Sequence, residues 1–130
     1  MSLIELRLDM PLISKARPRC GKGHAYLPSA YREWKKLTQM RLEDLWIQNQ
    51  LPTFSKAIPI KNLTVEAHGP GRSDSDNLLG ALLDAGLPQK PGWRGCWTDD
   101  RVTIIPSVCF YWIRSREQFW VIRILTDAMP

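Results

Sequence analysis

Apolar and polar residues alternate from Leu3 to Asp9, with Ile4, Leu6 and Leu8 set against Glu5 and Arg7, the period of a half-buried strand. Met10 to Leu27 loses that period, and Pro11, Pro18, Gly21 and Gly23 among basic residues predict a loop. From Ser29, expected as an N-cap, to Gln50, the residues Tyr31, Trp34, Leu42 and Leu45 recur at helical spacing with Thr38 filling the gap. Ile58 to Ala67 reads as extended, with Ile58, Ile60, Val65 and Ala67 as an inward face around a polar Lys61-Asn62 interruption, and Gly69-Pro70-Gly71 ends it. A shorter helix is expected from Asp76, its N-cap, to Ala85, where Gly86 supplies the stop. Leu78, Leu82 and Ala85 form its stripe, and Leu79 and Leu83 broaden it. Pro88 to Gly95 is a loop. Arg101 to Trp112 and Gln118 to Thr126 are rich in β-formers and flank the polar stretch Arg114-Ser115-Arg116-Glu117, which predicts a closing hairpin.

This order predicts an α/β (α+β) chain, a mixed β-sheet with two main helices packed on it. At 130 residues it is expected to be a single domain, 1–130, with one core. No apolar run approaches a membrane span, and Met1-Ser2-Leu3-Ile4-Glu5 lacks the layout of a signal peptide, so a cytoplasmic protein is expected, with no membrane partner. The odd count of cysteines, Cys20, Cys96 and Cys109, suggests reduced thiols rather than a disulfide framework.

Charge changes the picture. The chain carries 18 Lys+Arg against 13 Asp+Glu, a net charge of +5, and so should attract a polyanion. Lys15, Arg17, Arg19 and Lys22 crowd one short stretch, followed by Arg32, Lys35 and Lys36. Within this basic chain stand the acidic pairs of Asp74-Ser75-Asp76-Asn77 and Trp97-Thr98-Asp99-Asp100. Carboxylates two apart in extended backbone point to one side, and a second pair one supersecondary unit later can complete a cluster that holds Mg²⁺ or Mn²⁺ for phosphodiester hydrolysis. Taken singly, each pair is better explained as turn and cap chemistry, and it is the combined pattern that points to a metal. Asp99 alternates with Asp100 in an extended segment and ranks below it as a ligand.

Ser14-Lys15-x-Arg17-x-Arg19, Tyr26-x-Pro28-x-x-Tyr31-x-x-Trp34, Asp74-x-Asp76-Asn77 with Ala81 and Asp84, and Trp97-x-Asp99-Asp100 together resemble the RusA family of Holliday junction resolvases, in order over nearly the whole chain. The resemblance implies a small homodimeric α/β endonuclease that uses Mg²⁺ or Mn²⁺ to nick four-way or branched DNA junctions. Its metal-binding aspartates would map onto Asp74, Asp76 and Asp100, with Asp99 beside them. Two departures stand out. The family leads one to expect a catalytic lysine four residues after the second aspartate, where this chain has Gly80. The stretch Leu87 to Gly95 is also longer than expected, and brings Lys90, Trp93 and Arg94 near the candidate site. Trp93 either stacks on an unpaired base or folds back onto the core. The expected DNA contacts are Lys15, Arg17, Arg19, Lys22, Arg72, Lys90, Trp93 and Arg94. The rival reading is a structured-DNA-binding protein that keeps the fold without turnover. His68, at a strand end just before the Gly-Pro-Gly turn, is expected to be structural rather than near the metal; Asp84 shares the Asp76 and Gly80 face and is expected either to contact a water near the metal or to be a polar residue on the open side of the helix.

Overall fold

Strong period-2 segments supply the sheet. The computed structural model describes residues 1–15, 28–89 and 92–127, and the backbone of 19–21 and 24–26. Strands β1 (Ser2–Leu8), β4 (Asn62–Gly69), β5 (Val108–Arg114) and β6 (Phe119–Thr126) form a sheet in the order β1-β6-β4-β5. β6 runs antiparallel to both neighbours, and β5 is parallel to β4. The register stacks apolar side chains in rows across the sheet. Leu8, Trp120 and Ala67 make one row, and Leu6, Ile122 and Val65 the next. All six are buried, on the face that packs against the helices.

Helix α1 (Ser29–Gln48) buries Tyr31, Trp34, Thr38 and Leu42, as the helical spacing predicts, whereas at the end of the stripe Trp46 is buried and the expected Leu45 only partly so. Its N-cap is Pro28 rather than Ser29, and the Pro28 carbonyl accepts the Arg32 N–H at 3.1 Å. Its end lies two residues before Gln50, which adopts a left-handed φ of 54°. The Gln50 N–H bonds to the Ile47 carbonyl and that of Leu51 to Trp46, the paired closing bonds of a Schellman turn with glutamine in the place glycine usually takes. Helix α2 (Ser75–Ala85) buries Leu78, Ala81, Leu82 and Ala85. Asp74, not Asp76, is its N-cap, and Asp76 lies in the first turn. Gly86 does follow the last turn, but in right-handed conformation. Glycine is required there for another reason: a Cβ would overlap the Trp97 ring.

Four expectations are corrected. The closing hairpin does not form, because β4 lies between β5 and β6. The link 115–118 steps over the end of β4 instead; it must cross two strand spacings, about 10 Å, which four extended residues span. Gly69 makes room for it, since a Cβ there would come within 2.8 Å of Leu12 and 3.3 Å of Gln118. Residues 101–105 form a turn in which the Ile104 and Ile105 N–H groups bond to the Arg101 carbonyl, so the strand begins only at Val108. Ile58 lies exposed in the turn that precedes β4, bonded to Ser55, while Ile60 and Leu63 are fully buried. The expected loop 10–27 also contains a small two-stranded pairing, β2 (Arg19–Gly21) with β3 (His24–Tyr26).

The other sheet face is held by charge. Arg123 binds Glu5 at 2.7 Å and also Glu66, whose second oxygen lies 3.0 Å from His68 Nε2. The His68 ring stacks on Phe119 at 4.2 Å, which assigns His68 a structural place. The hydrogen bond from Arg123 holds the Glu66 carboxyl below its ordinary value of 4.5, against the opposing effect of burial and with help from His68. A native value below the unfolded one means that the unfolded chain binds more protons, so this stabilisation is complete above about pH 4.5 and is lost as pH falls through the lowered native value. Glu66→Gln should therefore flatten the acid limb of the stability curve; chemical denaturation between pH 3 and 7 checks it, and parallel curves for the two proteins would contradict it.

Candidate functional site

β4 delivers the chain through Gly69-Pro70-Gly71 to the start of α2, so Asp74 and Asp76 flank the positive end of the helix dipole. Neither side chain caps the helix in the usual way; Asp76 Oδ1 accepts the Asn77 N–H at 3.0 Å, and the Asp74 carbonyl accepts that of Leu78. Both aspartates are exposed. The second acidic pair is carried by Trp97, which is fully buried. Its Nε1–H donates to the Leu83 carbonyl at 3.0 Å, and the Cys96 N–H donates to the Gly86 carbonyl at 2.7 Å. Asp99–Asp100 is thus anchored from the C-terminal end of α2 and Asp74–Asp76 from its N-terminal end. Among the described residues, no three His, Cys, Asp or Glu side chains stand close enough together to hold a metal ion. The expected set of Asp74, Asp76 and Asp100 is not drawn into one cluster. Mutual repulsion gives the physical reason: at about 4 Å and an effective dielectric near 20, each carboxylate pair repels by roughly 4 kcal/mol.

The acids nevertheless divide sharply by their partners. Asp99 Oδ2 is paired with Arg101 Nε at 2.9 Å, and its Oδ1 accepts the Asp100 N–H. Asp84, 17% exposed, accepts the Tyr31 hydroxyl at 2.7 Å and meets Lys35 Nζ at 3.1 Å. It therefore ties α1 to α2, and the alternative of a polar residue on an open helix side is overturned. Burial and then the bond to Asp84 push the Tyr31 phenol up. Asp74, Asp76 and Asp100 enter no ion pair among the described residues. As a donor set of exposed carboxylate oxygens, these three suit a hard divalent cation in kind, though they are not preassembled around one.

Of the expected DNA contacts, Lys15, Arg72 and Arg94 are exposed. Arg17, Lys22 and Lys90 lie outside the described residues, as does the Arg19 side chain. Trp93 takes the second of its two expected courses: it is half-buried and meets Trp46 edge-on at 6.4 Å. A ring used that way is not a free stacking platform. Cations outside the expected contact set also line concave surfaces. Arg32, Lys35 and Lys36 line a groove between α1 and Pro88–Gln89, and Arg114 lines a cleft with Ser73, Ser75, Phe110 and Trp112 beside Asp74. Helical spacing put the first three on one surface, whereas Arg114 is brought to Asp74 only by the parallel pairing of β5 with β4.

Among the described residues, Lys15 is a basic residue whose backbone is tied to the start of α2. Its N–H donates to the Asn77 carbonyl at 2.9 Å, and the preceding Ser14 hydroxyl bonds to that of Ser73 at 2.5 Å. Neither protein-family models nor curated proteins yield a match for this chain.

Proposed function

We propose that the chain is a RusA-like, metal-dependent and structure-selective DNA endonuclease that resolves four-way junctions by phosphodiester hydrolysis, acting in the cytoplasm. The observation that carries this reading is that Asp74, Asp76 and Asp100 are exposed and enter no ion pair among the described residues, with the Lys15 backbone tied to Asn77 next to Asp76, while Asp84 and Asp99 are already engaged. A bound Mg²⁺ or Mn²⁺ would supply an activated water and neutralise phosphate charge, with those three residues holding it. The chain's own cations, Lys15, Arg72, Arg94 and Arg114, would grip the backbone on either side. The test is cleavage of a synthetic four-way junction with Mg²⁺ or Mn²⁺ and with chelator. Symmetric nicks that need the ion support the reading; an intact junction at saturating protein with either ion rejects it.

Two observations favour a second reading. The carboxylates are not preassembled and Gly80 stands where the resemblance leads one to expect a lysine, which suits a junction-binding protein without turnover. Tight, junction-selective binding with no cleavage would select it.

Assembly is part of the same proposal. β5 is an edge strand that leaves Tyr111 55%, Trp112 39% and Ile113 40% exposed, and an unpaired apolar edge invites another strand. Two equivalent nicks on a four-way junction call for two equivalent sites, so a two-fold dimer through this edge is proposed. Sedimentation should show a dimer that Tyr111→Glu with Ile113→Glu converts to a folded monomer. A wild-type monomer at working concentration, with and without DNA, would count against it. Among the described residues, no helix is long and apolar enough to cross a membrane.

A further inference from the structure

We infer that Lys15 is the cation that contacts the scissile phosphate, and that Gly80 is the notch in α2 that seats it. The inference rests on the nuclease reading and assigns a residue to it. Glycine is the poorest helix former apart from proline, and Gly80 lies in the middle of α2, without a left-handed φ to require it. What uses it is a neighbour. A Cβ at position 80 would come within 3.2 Å of Lys15 Cδ and 3.7 Å of Lys15 Cβ, so the lysine stem lies across the helix at this point. Position 80 is one helical turn beyond Asp76 and on the same face. The Lys15 stem is therefore laid along the face that carries Asp76.

The root of that side chain is fixed twice, by the Lys15 N–H on the Asn77 carbonyl and by the Ser14 hydroxyl on Ser73. Its ammonium, two bonds beyond Cδ, enters no ion pair among the described residues. A cation held at its base and, among the described residues, free of an ion pair at its tip, on the helix face that carries Asp76, is suited to the charge that hydrolysis develops. As the water oxygen bonds to phosphorus and the bond to the leaving sugar oxygen breaks, negative charge grows on the non-bridging oxygens. The water gives up its proton to solvent and the leaving oxygen takes one from solvent. Lys15 stays protonated throughout, stabilising that charge as a hydrogen-bond donor.

Occupancy of the notch makes a swap test possible. Single-turnover cleavage of a four-way junction is measured for wild type, Asp76→Asn, Lys15→Ala, Gly80→Ala and the double variant Lys15→Ala with Gly80→Lys. Lys15→Ala should slow cleavage by about 10²-fold or more, while log Kd against log salt becomes shallower by about 0.9, the loss of a single phosphate contact. Gly80→Ala presses a methyl group onto the Lys15 stem. It should slow cleavage while raising the unfolding midpoint, an opposition that a merely structural glycine does not produce. In the double variant, the lysine at position 80 has the vacated notch to itself and should recover at least about tenfold of the lost rate. Lys15→Ala cleaving at the wild-type rate while Asp76→Asn is dead would overturn the inference and leave the nuclease reading standing. A double variant that folds but cleaves no faster than Lys15→Ala would also overturn it. If wild type itself cleaves nothing, the nuclease reading fails and the inference fails with it.

Discussion

Asp74→Asn, Asp76→Asn and Asp100→Asn are each expected to reduce single-turnover cleavage of a four-way junction by on the order of 10³-fold, about 4 kcal/mol of barrier at 1.36 kcal/mol per decade. Junction affinity should hold or tighten. Each substitution removes a carboxylate that would ligate the ion, and also a negative charge that repels phosphate, so chemistry and binding move in opposite directions. Asp84→Asn and Asp99→Asn are the controls, because their partners say what they do. Asp84 joins α1 to α2 through Tyr31 and Lys35, so its loss should appear first in stability. Asp99 is occupied by Arg101, and its loss should leave most of the rate. Full activity in all three main variants would remove the basis of the site, and equal losses in all five would mean that charge near the helix, rather than ligation, is being measured.

What the sequence made legible followed from local period. β1 and the stripes of α1 and α2 were readable because a buried face repeats every two or about every 3.6 residues, whatever it packs against. Strand order was not readable in that way. The stretch from Val108 to Thr126 has the composition of a hairpin, and only the insertion of β4 between its arms shows that the link 115–118 is a crossing over a strand end. The site divides along the same line. Two aspartates two residues apart announce themselves, and so does Trp97-Thr98-Asp99-Asp100. That Asp84 and Asp99 are ion-paired while Asp74, Asp76 and Asp100 enter no ion pair among the described residues depends on Tyr31, Lys35 and Arg101 arriving in space. Gly80 is the sharpest case. Along the chain it is an absent side chain, whereas in the fold it is the surface on which Lys15, 65 positions earlier, comes to rest.

Trp97→Ala should be the most destabilising single substitution in the segment that carries the second acidic pair, costing about 3–5 kcal/mol by the usual scale for emptying a buried aromatic site. A domain of this size commonly has only about 5–15 kcal/mol in total, so the variant should sit near its unfolding threshold at physiological temperature. Trp97 is fully buried, meets Trp46 edge-on at 6.2 Å, and lies against the Gly86 backbone where no Cβ is tolerated. Its indole N–H also satisfies the Leu83 carbonyl in the last turn of α2, an acceptor that a helix end otherwise leaves open. Trp97→Phe separates the two contributions: it keeps most of the packing and loses that hydrogen bond, for which about 1 kcal/mol is expected in addition to a small cavity cost. Urea denaturation of the three proteins gives both differences directly. The same ring sets where Asp99 and Asp100 start, so Trp97→Phe should retain cleavage while Trp97→Ala, even when kept folded by low temperature, should lose it. A Trp97→Ala protein with both its stability and its cleavage intact would show that the Asp99–Asp100 segment is held by something other than this ring.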